Sequence, residues 1–327
     1  LSFTGALSGA GHPVLGLGGS SMAHRLTGIL GEDFELVLAD VGSAGGIHRR
    51  WRPFCSHIVP LLFDPFDTGG GSPRDRIFPY ALGAAKGSGT LHVTRRVSMT
   101  SLLEPNADLL RDVWFKPEHT AVTQTLGVEI EALDTLVAAE ALRVDVAKID
   151  TQGYESLIIA GARRTLADQV MLCEVEVSFF ERYRGLLPID RVIGDMRELG
   201  FELIELSRIK RYFARNASAV VKPGTGLGNR PGRIAFADAL FMKRRDALDA
   251  LVETRHGAGD RHAALRPIIA LAAYGKLDIA AALVDRHWQT FDAPTQRGLQ
   301  RWLGAIARWQ GVTKLPHLLF DYLARRV

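Results

Sequence analysis

Phe34-Glu35-Leu36-Val37-Leu38-Ala39-Asp40 runs directly into Val41-Gly42-Ser43-Ala44-Gly45-Gly46. A short apolar run closed by a glycine-rich turn reads as a buried parallel strand that delivers the chain to a loop. Asp64 stands 24 positions beyond Asp40, at the end of a second apolar run, His57 to Phe63. A glycine-rich turn lets backbone amides come close to a polar ligand, and a carboxylate at the next strand end can accept both hydroxyls of a ribose. Together they describe a site for an adenosine-containing cofactor. A dinucleotide loop wants glycine at its first, third and sixth positions, whereas Ala44 stands third here and Asp40 precedes the loop. An acid at that place suits an ammonium group and opposes a pyrophosphate. The expected cofactor is therefore S-adenosylmethionine rather than NAD, and a nicotinamide-dependent oxidoreductase is disfavoured.

Further strands are expected at Ile77–Leu82, Thr90–Thr94, Val128–Leu133, Arg143–Asp150, Val170–Val177 and Phe201–Leu206. Pro60 argues against a central strand at 57–63. Helical periodicity covers Asp134–Leu142, Gly153–Leu166 and Asp190–Leu199, and Gly83–Gly89 reads as a turn. Strands alternating with helices predict a parallel α/β sheet. From about Asp246 strand signals stop and apolar residues recur every three or four positions. The expected organisation is a lead-in over 1–33, a cofactor-binding α/β domain over 34–245 and a helical extension over 246–327.

The chain has 327 residues and is 47% hydrophobic, enough for a sizeable core, and its formal net charge is +4. No apolar run approaches the roughly 20 residues of a membrane-spanning helix. Residues 1–21 lack the basic start and unbroken apolar block of a secretory signal. Two cysteines, Cys55 and Cys173, offer neither a disulfide framework nor metal-ligand spacing, so a cytoplasmic protein without bound metal is expected. Gly16–Ser21 imitates a phosphate loop but has neither a preceding strand nor a lysine. Arg49–Arg52 reads as a solvated helix face, and Trp288, Trp302 and Trp309 as core.

The sequence resembles the FkbM-type methyltransferases, a branch of the class I S-adenosylmethionine-dependent enzymes, over roughly 36–243. Four stretches carry the resemblance: Asp40–Gly46; Ser98-Met99-Thr100-Ser101-Leu102-Leu103-Glu104-Pro105-Asn106; Leu133-Asp134-Thr135-Leu136; and Lys148-Ile149-Asp150-Thr151-Gln152-Gly153-Tyr154-Glu155. Glu174-Val175 through Tyr183 and Phe236–Phe241 add to it. The resemblance implies a Rossmann-like seven-stranded sheet with a reversed last strand, the cofactor at the strand C-terminal ends, and O-methylation of a hydroxyl. It implies that Asp40, Gly42, Ser43, Ala44 and Gly46 line the methionine and ribose side, that Asp64 binds the ribose, and that Ala81 and Leu82 border the adenine. Asp150 should face the sulfonium end. Ala44 replaces a frequent asparagine, and Asp64-Pro65-Phe66 a more usual Glu-Pro-Asp.

In-line attack on a methyl group needs positioning and removal of the acceptor's proton. Candidate bases are Asp150, Glu155, Glu174 and His119. Glu155 can equally serve a helix N-terminus, Glu174 at a strand end can hold a loop, and Lys148 is expected to pair with an acid at the sheet edge. Carbohydrate, glycan-precursor or natural-product hydroxyls are the expected acceptors, by analogy with the family. A methyltransferase-like binding module without turnover, working through the helical extension, is the alternative.

The net charge conceals an asymmetry. Residues 1–207 hold 19 basic and 27 acidic side chains, 208–245 hold 10 and one, and 246–327 hold 11 and 8. The basic concentration predicts an anionic acceptor near Arg211, Arg215 and Lys222. Nothing in the pattern points to nucleic acid.

Overall fold

A computed structural model describes residues 28–43, 46–66, 72–113, 117–218 and 232–324, with side chains as far as Arg308. The expectations for Gly16–Ser21, Ala44 and Lys222 lie outside the described residues. The chain forms two compact units. One consists of Leu36–Ile47 and Val59–Thr254, the other of Leu1–Glu35, His48–Ile58 and Arg255–Val327.

The first unit is built on seven strands: β1 (Leu36–Val41), β2 (Ile58–Phe63), β3 (Arg76–Phe78), β7 (Val146–Ile149), β8 (Leu172–Ser178), β9 (Phe201–Tyr212) and β10 (Arg233–Lys243). They lie in the order β3-β2-β1-β7-β8-β10-β9. β1 and β7, β7 and β8, and β2 and β3 pair in parallel. β10 runs antiparallel to both β8 and β9, so the reversed last strand is present. All residues of β1 and β8 are buried, as strands with neighbours on both sides and covered faces must be.

Helices α2 (Leu133–Ala139), α3 (Glu155–Ala160), α4 (Arg163–Asp168) and α5 (Ile189–Glu198) supply the apolar cover. Val137, Ile158, Leu166 and Met196 pack with Val41, Ile149, Val175 and Val177 in one core. Each such side chain contributes about 1.5–3 kcal/mol on burial. The helix expected over 153–166 is two helices, α3 and α4. The chain turns at Gly161, where an added Cβ would lie 1.9 Å from the Gly83 carbonyl oxygen. That close approach needs glycine and bends the chain.

The strand expected over 77–82 also divides. Arg76–Phe78 joins the main sheet, and after Pro79-Tyr80 the chain enters a second sheet of order β4-β6-β5, with β4 at Ala81–Leu82, β5 at Gly87–Thr94 and β6 at Val122–Glu131. Gly87–Gly89, read as part of a turn, begins β5 instead. Pro60 lies inside β2, one position before the pairing with β3 begins at Leu61. Its missing N–H therefore takes nothing from that ladder.

The second unit contains a 3₁₀ helix at Arg49–His57 and helices α7 (Leu265–Ala273), α8 (Leu277–Arg286) and α9 (Ala293–Ala324). α1 (Ala107–Arg111) and α6 (Arg245–Gly257) complete the helices used below. The Arg49–Arg52 face is not solvated throughout. Arg50 is buried with its guanidinium 4.3 Å from the Tyr274 ring centre, and Trp51 meets the same ring edge-on. The aliphatic stem and planar head of arginine tolerate this aromatic setting. Trp302 is buried against Phe54, whereas Trp288 is only half-buried. Trp309 falls beyond the described side chains. Among the described residues no helix is long and apolar enough to cross a membrane.

Candidate active site

The sheet order reverses direction between β1 and β7: β2 and β3 follow β1 on one side, β7 and β8 on the other. Such a switch point leaves a crevice at the C-terminal ends of the strands, where ligands of open α/β sheets bind. Three strand ends are pinned together there. Gly42 N–H donates to Phe63 O at 2.9 Å and Asp150 N–H to Val41 O at 3.0 Å. Gly42 has φ +79, and an added Cβ would lie 2.1 Å from the Asp150 carbonyl oxygen. Position 42 thus needs glycine twice over, for its backbone angle and for the passing strand.

Ser43 is buried, and its hydroxyl has no hydrogen-bond partner in the structure. An orphaned buried hydroxyl beside a glycine turn fits a polar ligand group as its missing partner. Gly46 closes the turn by donating to Ser43 O at 2.7 Å. At the end of β2, buried Asp64 accepts from Phe66 N at 2.8 Å. Its own N–H reaches Phe78 O at 3.3 Å, which brings the chain entering β4, with buried Ala81 and Leu82, next to the β2 end. The residues present therefore fit an adenosine cofactor carrying a polar tail.

Acids dominate the β7 side. Asp40 is buried, and Lys148 Nζ donates to it at 3.3 Å while lying 3.6 Å from Asp150. Lys148 is not at a sheet edge: β7 lies between β1 and β8. Burial opposes its charge, but Asp40, Asp150 and Glu174 more than offset this and hold the ammonium above its ordinary pKa. Burial pushes the Asp40 carboxyl up, against the pull of Lys148. Asp150 is the more exposed of the two acids, with 27% of its side chain accessible.

Glu155 has a different setting. Its carboxylate accepts from Thr151 N at 2.9 Å, from Gly153 N at 2.9 Å and from Thr151 Oγ1 at 3.2 Å. It shapes the loop between β7 and α3, and burial raises its pKa despite these donors. Glu174 is not at a strand end but third in β8, in register with Lys148 and Leu240. His119 ends a 3₁₀ turn ahead of β6, where its carbonyl accepts from Arg96 N at 3.1 Å. Arg211 Nη1 donates to Gly232 O at 2.9 Å and ties the end of β9 to the start of β10. Arg215 is exposed, and its N–H donates to Asp112 O at 2.8 Å. The basic run is also not uniformly solvated. Lys243 is buried with its Nζ donating to Leu199 O at 2.7 Å, and burial pushes its pKa down to about 8.

Four residues of the crevice, Gln152, Glu176, Arg182 and Tyr183, lie in the stretches that carry the family resemblance but have no site role in the sequence analysis. Arg182 and Glu176 form a buried pair at 2.7 Å, with the Arg182 Nε on Ser178 Oγ at 3.0 Å and the guanidinium 4.1 Å from the Phe236 ring centre. Gln152 Nε2 donates to Glu176 Oε1 at 3.0 Å and to Asp150 Oδ1 at 3.1 Å. Glu174 and Glu176 alternate along one strand, so both carboxylates belong to one face, and that spacing is the signal that would have found Glu176.

Asp238 on β10 lies 3.2 Å from Arg208 Nη1. Burial first, then Glu174, pushes its pKa up to about 6 from an ordinary 3.8. The folded state therefore binds more protons than the unfolded one between these values, and stability falls as pH rises from about 4 to about 6. Asp238→Asn is expected to flatten that slope, worth at most about 3 kcal/mol. Melting curves between pH 4 and 7 check it, and an unchanged slope in the variant contradicts the assignment.

A switch-point crevice with a glycine turn, a buried carboxylate at the next strand end and a reversed last strand defines a class I methyltransferase fold. Residues 50–203 match the methyltransferase FkbM domain. That stretch of the chain is therefore an FkbM methyltransferase domain. The match starts beyond the glycine turn and ends within β9. No curated protein matches the sequence. The solved structures similar to this chain include two methyltransferases. A candidate RNA methyltransferase from Pyrococcus horikoshii shares 11% identity over 69% of this chain and 82% of its own, with a TM-score of 0.29. The 1,6-didemethyltoxoflavin-N1-methyltransferase of Burkholderia thailandensis, solved with 1,6-didemethyltoxoflavin and S-adenosylhomocysteine, shares 12% over 69% and 77%, with a TM-score of 0.27. Likenesses this distant carry no argument about ligands.

Proposed function

We propose that the chain binds S-adenosylmethionine in the β1/β7 crevice and transfers its methyl group to a hydroxyl of a carbohydrate, glycan precursor or related natural product. The observation that carries the cofactor assignment is the orphaned hydroxyl of buried Ser43 beside the close approach of Gly42 to Asp150. In this reading Gly42, Ser43 and Gly46 border the methionine portion, Asp64 accepts from the ribose hydroxyls, and Ala81 and Leu82 flank the adenine. The surplus of acids around Lys148 favours a ligand bearing positive charge, as a sulfonium does. Asp150 is the most accessible of these acids and faces the sulfonium end. The acceptor oxygen forms its bond to the methyl carbon as the carbon–sulfur bond breaks, the bonding pair leaves on sulfur, and the hydroxyl proton passes to a base. Asp150 serves as that base better than Glu155, whose carboxylate is engaged by the Thr151 and Gly153 amides.

Calorimetry with S-adenosylmethionine tests the cofactor half: wild-type protein is expected to bind, and Asp64→Ala to bind at least tenfold more weakly, since a charge-assisted hydrogen bond contributes about 1.5–3 kcal/mol. Absence of wild-type binding, or unchanged affinity in the variant, contradicts it. The basic residues of 208–245 support an anionic acceptor. Radiolabelled cofactor incubated with fractionated cell extract is expected to yield a product retained on an anion exchanger, and a labelled neutral product would remove that part of the proposal.

A further inference from the structure

Gln152 occupies an unusual position in the crevice. It has φ +61, a left-handed backbone angle that costs an L-residue with a side chain about 1–2 kcal/mol. Glycine follows it at 153, so the loop had a strain-free residue type at hand and carries glutamine at 152 regardless. Every polar atom of the side chain is used. The amide nitrogen donates to Asp150 Oδ1 at 3.1 Å and to Glu176 Oε1 at 3.0 Å, and Tyr183 OH lies 3.3 Å from the amide oxygen. The Gln152 carbonyl accepts from Ser101 Oγ at 2.9 Å, which holds the backbone in place.

A primary amide is the neutral side chain with two N–H donors on one nitrogen, so it can bridge two carboxylates without adding charge. The same Glu176 Oε1 also accepts from Arg182 Nη2 at 2.7 Å. The bridge therefore runs from a buried, fixed ion pair to the accessible Asp150. On its opposite oxygen Asp150 meets Lys148 at 3.6 Å. With one oxygen held by the amide and the other beside the ammonium, the carboxylate plane is set.

We propose that Gln152 is a positioning residue: its amide ties Asp150 to the Glu176–Arg182 pair and so fixes the carboxylate that meets the cofactor's sulfonium. This rests on the reading of the crevice as an S-adenosylmethionine site. Loss of the bridge leaves Asp150 free to swing toward Lys148 and weakens recognition of the positive sulfur. It leaves recognition of the remainder of the cofactor alone. S-adenosylhomocysteine has the same remainder and a neutral sulfur.

The test is calorimetric titration of S-adenosylmethionine and, separately, S-adenosylhomocysteine into wild type, Gln152→Gly and Gln152→Met. Both variants are expected to lose roughly tenfold in affinity for the sulfonium ligand relative to the neutral one, the size of one charge-assisted hydrogen bond. Glycine accepts φ +61 without strain, so Gln152→Gly keeps the loop, and a role confined to loop geometry predicts that it behaves as wild type. Should the methionine variant fail to fold, the glycine variant decides alone. An unchanged affinity ratio while wild type binds both ligands overturns the role of Gln152 only. No binding by wild type overturns the functional reading and this inference with it.

Discussion

Gly42→Ala is expected to melt at least about 10 °C below the wild type. Alanine at φ +79 costs about 1–2 kcal/mol, and its Cβ would be driven to 2.1 Å from the Asp150 carbonyl oxygen. That oxygen belongs to backbone at the end of β7, which no side-chain rotation can clear. The two neighbouring central strands must separate or β1 must shift, with a loss of several kcal/mol. For a chain of this size each kcal/mol lowers the melting temperature by about 2–4 °C. A variant melting within 2 °C of wild type would show that the crevice is wider than described.

Arg182→Met is expected to cost about 3–5 kcal/mol, because it leaves the buried Glu176 carboxylate without its cation. Burial first, and then Asp150, already raises the Glu176 pKa, while Arg182 lowers it. Without Arg182 the pKa rises further. A carboxyl whose folded pKa lies above its unfolded value binds an extra proton on folding, so its stability contribution is greatest at low pH and declines as pH rises through that interval. With Arg182 in place the Glu176 pKa is already pushed up to about 8, so the deficit of Arg182→Met should grow as pH rises past that value. Arg182→Met combined with Glu176→Gln should recover most of the loss, since the charge needing compensation is gone. Denaturant titrations at about pH 7 and about pH 9 check both statements, and a deficit that shrinks toward the higher pH would contradict the assignment.

Much of the fold was legible because local pattern and tertiary role agree in it. β1 is apolar throughout and is buried throughout, and the glycine turn after it occurs where the chain must leave the sheet. Elements were misjudged where a long-range contact decides. Gly161 reads as an ordinary helical position until the Gly83 carbonyl is placed against it. Arg50 reads as solvated because no local feature announces Tyr274 above its guanidinium.

The candidate site divides along the same line. Asp40, Gly42, Asp64 and Asp150 stand out in the sequence because they lie at or next to strand ends, which hydrophobic patterning reveals. Gln152, Glu176 and Arg182 lie in the stretches that resemble the family, yet their roles are not legible there because each is polar and unremarkable in its own neighbourhood. Their meaning is a set of distances near 3 Å between a loop and β8, which no spacing along the chain encodes.

By itself, then, the amino-acid sequence determined the strand–helix alternation, the glycine turn and the acids at the strand ends, since these follow from periodicity and backbone sterics within a few residues. Tertiary structure alone decided that Lys148 sits between Asp40 and Asp150, that Glu155 serves its own loop, and that Gln152 joins two carboxylates. Burial and pairing across the sheet set those roles, and both depend on residues remote in sequence.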